Sequence, residues 1–119
     1  MENDIYSFDP AHPIPLVEAF DNISERNDGG LDLFMIITRP LEADERSLAR
    51  LSQKLRNYLN FIKCRTAGDR NKTYGIAVFI NASSDSRAIE HLRQSVSRAA
   101  AENIAMNITR VGHDGKISR

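Results

Sequence analysis

The sequence predicts a small α/β sandwich: a mainly parallel sheet of three to four strands, in αβαβαβ order, with helices packed on both faces. Three observations carry that prediction. Leu33-Phe34-Met35-Ile36-Ile37 is apolar at every position, the pattern of a strand covered on both sides. Tyr74-Gly-Ile-Ala-Val-Phe-Ile80 is a second run of the same kind. Between them Leu48, Leu51, Leu55, Leu59 and Ile62 recur at helical spacing and form one stripe wide enough to cover a sheet face. Strands that alternate with helices pair in parallel through right-handed crossovers.

Taken in order, Asp4 to Phe8 reads as a short strand, a fourth and antiparallel member of the sheet, ending at Asp9-Pro10. Pro13 and Pro15 stand where a first helical turn tolerates proline. Leu16, Val17, Phe20 and Ile23 follow at helical spacing, so Pro15 to about Asn27 is expected to be a helix, stopped by Asp28-Gly29-Gly30. The strand over Leu31–Pro40 follows, and Pro40 ends its pairing because it has no amide proton. Asp44 is the N-cap of the long helix, with Glu42 and Glu45 beside the positive end of its dipole and Lys63 and Arg65 at the other end. Residues 66–72 form a polar loop. After the second apolar strand, Ser83-Ser-Asp-Ser86 offers N-caps for a last helix whose inner stripe is Ile89, Leu92, Val96 and Ala99 or Ala100. Asn103 stops it. Ile104 to Val111 alternates apolar and polar residues as an edge strand does. Phe34 and Leu55 are both expected in full burial at the strand–helix contact.

One domain, residues 1–119, is the natural count, with 1–13 and 112–119 loosely ordered. The 41% hydrophobic and 27% charged content is that of a globular protein, and no apolar run approaches the ~20 residues of a membrane span. Cys64 stands alone, so no internal disulfide can form, and Met1-Glu-Asn-Asp lacks the basic and apolar regions of a signal peptide. A cytoplasmic protein without a membrane partner is the expectation. The net charge of zero hides an asymmetry: residues 1–45 carry eleven acids against Arg26 and Arg39, hence −9, and the remainder carries +9. Either the acidic segment folds back over the basic helices, or the two halves meet charged partners.

The run Leu51-Ser-Gln-Lys-Leu-Arg-Asn-Tyr-Leu-Asn-Phe-Ile62, preceded by an apolar strand and an acidic turn, resembles a family of small bacterial α/β proteins, a domain of unknown function. The likeness spans roughly residues 31–111. The family tends to carry a tryptophan after the first strand, where this chain has Pro40-Leu41, and to begin with a β-hairpin, where a helix is expected here. What the resemblance implies is the fold; it brings no activity, cofactor or catalytic residue.

Catalytic and metal-binding signatures are not found. Cys64 and His91 fall on different helices, His12, His91 and His113 share no ligand spacing, and Asp44-Glu45 is explained by capping. No cofactor is expected, and the chain reads as more a binding protein than an enzyme. Arg46, Arg50 and Lys54 repeat at i, i+4, i+8 on the face opposite the leucines, with Phe61 roughly in line. Like charges at that spacing cost about 0.2–0.5 kcal/mol a pair, so they ask for a reason. The plain reason is a solvated face with Phe61 under the N-terminal helix; the functional one is a docking surface for an acidic protein partner, a second copy or nucleic acid. The alternative function is a small anion- or nucleotide-binding sensor or enzyme at the strand C-terminal edge, using Thr38, Arg39, Ser83, Ser84 and Ser86. Asp85 would repel an anion there, and N-capping accounts for the serines equally. Nucleic acid is disfavoured by zero net charge and a pI near 6.8.

Overall fold

The computed structural model describes residues 6–66, 68 and 71–112 and the backbone of 117–118. Strands and helices alternate through the middle of the chain: β1 (Asn22–Glu25), β2 (Leu31–Ile37), α1 (Glu45–Thr66), β3 (Tyr74–Asn81), α2 (Ser86–Ala101), β4 (Ala105–Val111) and β5 (Ile117–Ser118). The sheet is mixed. β2, β3 and β4 are parallel, β1 is antiparallel to β2, and two residues of β5 are antiparallel to β4. Strand order in space equals order in sequence.

That monotone order decides where the helices go. Two right-handed crossovers moving the same way across a sheet put both helices on the same face. Leu33, Met35 and Ile37 of β2 and Ile76, Val78 and Ile80 of β3 meet Leu51, Leu55, Ile62, Ile89 and Leu92 there, all buried. A hydrogen bond of 2.6 Å between Ser52 of α1 and His91 of α2 joins the helices side by side. The expected arrangement with helices on both faces is therefore corrected: this is a two-layer fold. Phe34 is corrected with it. Side chains alternate across a strand, so with Leu33 and Met35 turned to the helices, Phe34 falls on the opposite face and is half-buried, whereas Leu55 is buried as expected.

The caps agree with the sequence. Asp44 accepts from the amide of Ser47 at the start of α1, and Asp85 accepts from that of Arg87 at the start of α2. Asn103 ends α2 at φ 61°, a left-handed conformation that asparagine tolerates better than most residues.

The N-terminal third departs from expectation. No helix forms over 15–27. Residues 6–21 run as an irregular strap along α1, and 22–25 form β1, joined to β2 by a turn in which Gly29 sits at φ 88° and Arg26 N–H donates to the Gly30 carbonyl. Tyr6 to Phe8 are turn and coil; the rest of the strand expected at 4–8 lies outside the described residues. The reason is tertiary. The strap inserts Ile14 and Val17 into the core and sets Phe20 edge-on against Tyr58 and Phe61, at 4.8 Å in each case. Three prolines in six residues, Pro10, Pro13 and Pro15, cannot donate helical hydrogen bonds, and the strap carbonyls find donors on α1 instead. Residues 6–13 are held by these contacts. Beyond Gly112, Ile117 and Ser118 are held by pairing with Val111 and Arg110.

Candidate interaction surface

Opposite the helices, the sheet shows a face that no described element covers. Its residues follow from strand alternation and register: Asn22 and Ser24 from β1, Asp32, Phe34 and Ile36 from β2, Gly75, Ala77 and Phe79 from β3, and Asn107 and Thr109 from β4. Phe34 pairs across to Ala77, which is small enough to let the Phe34 ring lie beside Phe79 one step further on. The two rings stack at 6.0 Å with an interplanar angle of 5°. Ile36, registered with Phe79, is 40% exposed.

The centre of this face is apolar and its surround is neutral and polar. Its charged pair sits at one end, where the Arg26 guanidinium donates to Asp32 at 2.8 and 3.0 Å and to the Thr73 hydroxyl. Gly75 makes room for it: a Cβ there would meet Arg26 at 2.6 Å and Asp32 at 2.7 Å. The hydrogen-bonding groups along the rest of the face are amides and hydroxyls.

The basic stripe of α1 has another use. Arg50 and Lys54 are 0% and 1% exposed. Arg50 donates to the carbonyls of Ser7, Ile14 and Pro15, and Lys54 to the Leu16 carbonyl and the Asp21 carboxylate. Arg46 pairs with Asp9 at 2.8 Å. Asn57 extends the row to the Val17 carbonyl. The expected exposed surface of Arg46, Arg50, Lys54 and Phe61 is thus corrected: its cations fasten the chain's own strap. Phe61 lies under Phe20 with the Arg65 guanidinium 5.2 Å over its ring. Sequence reasoning noticed the repeated like charges and left them two readings, an acidic segment folded back over the helices and an external partner; the ion pairs Asp9–Arg46 and Asp21–Lys54 favour the first. The signal for an internal one was the strap itself, three prolines and a chain of carbonyls without helix or sheet to satisfy them.

At the strand C-terminal edge, several of the groups proposed for an anion have internal partners. The Ser84 hydroxyl accepts from the Leu41 amide, Asn81 binds the Thr38 carbonyl and the Ser83 amide, and Arg39 donates to the His12 carbonyl. Asp85 rather than a serine caps α2. Ligand crevices at such edges arise where strand order reverses, and the order here never does.

Two serine–histidine pairs were not foreseen. His12 Nδ1 accepts from the Ile14 amide, so Nε2 carries the proton and donates to the Ser47 hydroxyl at 3.0 Å. An imidazole in that state cannot take a proton from the serine. Burial, then the charges of Arg50 and Arg46, hold His12 below its usual range. Ser52 and His91 form the second pair, but Ser52 is in the middle of α1, where the amides are engaged in the helix and offer no oxyanion hole. Cys64 lies twelve residues, or about 18 Å, further along α1 from Ser52 and is not near His91. Among the described residues no three His, Cys, Asp or Glu side chains converge as metal ligands, and no helix is long and apolar enough to cross a membrane. His113 lies outside the described residues.

No family model matches the chain, and neither the curated proteins nor the solved structures contain a match to it.

Proposed function

We propose that the chain is a non-enzymatic interaction module that self-associates, two copies packing their open sheet faces together about a two-fold axis. The observation that carries this reading is the Phe34–Phe79 stack on a face that no described element covers. An apolar sheet face of this kind is a surface that seeks a cover.

A second copy suits the chemistry of the face. Under a two-fold axis a patch meets itself, so it must be flat and its charges must not repel. Asp32 is neutralised by Arg26 on the same face, and Asn22, Ser24, Asn107 and Thr109 each both donate and accept hydrogen bonds. A nucleic acid would ask for free cations among the aromatics, and the Arg26 guanidinium is already engaged. Sheets pack face to face about 10 Å apart with strands roughly 30° off parallel, and interdigitated phenylalanines suit that spacing. At ~3.3 Å per residue and ~4.8 Å between strands, the face measures roughly 20 by 20 Å, below the standard ~800 Å² a side. The dimer is accordingly weak and concentration-dependent.

Sedimentation velocity over a concentration series tests this. The wild-type chain is expected to shift from monomer to dimer, and the shift should persist at ~0.5 M salt because apolar burial survives screening. Phe79→Ser and Phe34→Ser should remain folded monomers. A wild-type chain monomeric at the highest concentration, or a dimer indifferent to both substitutions, rejects the reading.

A further inference from the structure

A narrow groove runs between the outer sides of α1 and α2, away from the open sheet face. It has a volume of about 150 Å³ and is lined by Ser52, Leu55, Arg56 and Leu59 of α1 and by His91, Ser95 and Arg98 of α2. Positions 52, 55, 56 and 59 share one side of α1, and 91, 95 and 98 share one side of α2, so the lining is a product of helical spacing. No carboxylate lines it. Arg56 donates to the side-chain Oε1 of the neighbouring Gln53, and among the described residues neither Arg56 nor Arg98 makes an ion pair. Arg26, Arg46, Arg87 and Arg93 each have a carboxylate partner.

Two of the polar lining groups share one proton between them. The Ser52 hydroxyl and His91 Nε2 share a single hydrogen bond of 2.6 Å. If Nε2 donates, the serine proton is left for another acceptor; if the serine donates, the histidine proton is on Nδ1. The Ser95 hydroxyl is turned to the His91 carbonyl and holds the imidazole's own turn of helix in place.

The geometry points to a tetrahedral oxyanion site in this groove, phosphate or a phosphate monoester, clamped by Arg56 and Arg98 from the two helices and hydrogen-bonded by the Ser52–His91 pair. Guanidinium forks suit such an anion, and two of them from opposite walls bind it more selectively than one exposed charge. This site is independent of the open sheet face and of self-association through it.

Binding has a second signature at His91. Burial, then the positive charge of Arg98, hold its imidazole below the usual range. A bound anion offsets that charge, so His91 should titrate at higher pH when the groove is filled.

The test is an NMR titration of the full chain with sodium phosphate, phosphoserine and sodium sulfate, each against sodium chloride at matched ionic strength. Saturable shifts are expected at Ser52, His91 and Ser95, together with a rise in the His91 pKa. Arg56→Gln and Arg98→Gln should each weaken binding about tenfold, equivalent to ~1.4 kcal/mol, with melting temperature unchanged because both side chains are exposed. Tighter binding of phosphoserine would assign the site to a monoester, and equal binding of phosphate to the free ion. Shifts that do not saturate, that chloride reproduces, or that persist in the Arg56→Gln/Arg98→Gln double variant overturn the proposal.

Discussion

The helix-side face of the sheet and its opposite are built from the same two strands and are almost equally apolar. Leu33, Met35, Ile37, Ile76, Val78 and Ile80 point one way; Phe34, Ile36, Ala77 and Phe79 point the other. The first set lies under α1 and α2. The strap 6–21, the other described segment long enough to cover the second set, packs against α1 and adds Ile14 and Val17 to the side already covered. What the difference teaches is that apolar character on both sides of a strand reports a demand for cover. Which side the chain itself covers is decided by crossover handedness and strand order.

The comparison can be broken most directly by stability measurements. Leu33→Ala removes a fully buried side chain beneath α1 and is expected to cost about 2–5 kcal/mol in urea unfolding. Phe79→Ala, on the open side and measured at a concentration where the chain is monomeric, should cost only ~1–2 kcal/mol despite the larger side chain. Equal losses would mean the second face is as well packed as the first.

A middle-sized effect sharpens the contrast by testing the strap as part of the covered side. Arg50→Met keeps the aliphatic stem but strips the carbonyls of Ile14 and Pro15 of charged donors. Hydrogen bonds to charged groups contribute ~1.5–3 kcal/mol, so a loss of about 2–3 kcal/mol is expected, along with faster hydrogen exchange at the Asp9 and Ile14 amides. Unchanged exchange there would detach the strap from the stability of the fold.

The smallest effect is pH-dependent. Because the folded pKa of His12 lies below the ordinary 6.5, the unfolded chain binds the proton first as pH falls. Stability is therefore whole above 6.5 and declines as pH drops from there towards the lowered folded value. Protonation also places a hydrogen on Nδ1, where the Ile14 amide now donates. His12→Asn, whose Oδ1 can accept in place of Nδ1, should flatten the urea midpoint against pH between 7 and 5. His91, shifted the same way by burial, contributes to the slope left over. A slope identical to wild type would remove His12 from the account.

Much of the architecture was legible because its causes are local. The helix over α1, both central strands, the last helix and the alternating strand after it follow from periodicity, and Asp44 and Asn103 from capping chemistry. The helix expected over 15–27 failed because Leu16, Val17, Phe20 and Ile23 suit a helical stripe in spacing alone. Leu16 and Ile23 are each 45% exposed, and the strap's hydrogen bonds to α1 go to side chains 33 to 43 residues away, which no local window contains. The charge split was read correctly as a problem that needed a partner. Asp9 with Arg46 and Asp21 with Lys54 show that partner to be within the chain. The open face could not be read from either strand alone, because it depends on the order in which three strands lie side by side.

The identity of strand order and sequence order also bears on how the chain forms during synthesis. Each strand from β2 onward meets its neighbour already made, and the crossovers into β3 and β4 are each a single helix, so the sheet can grow outward one strand at a time from the ribosome. The strap is the exception. Ile14 and Pro15 are made first, yet their donor Arg50 follows 36 and 35 residues later. For that interval the segment waits with its carbonyls in water, a state that its prolines, already extended and without amide protons to satisfy, are well suited to keep.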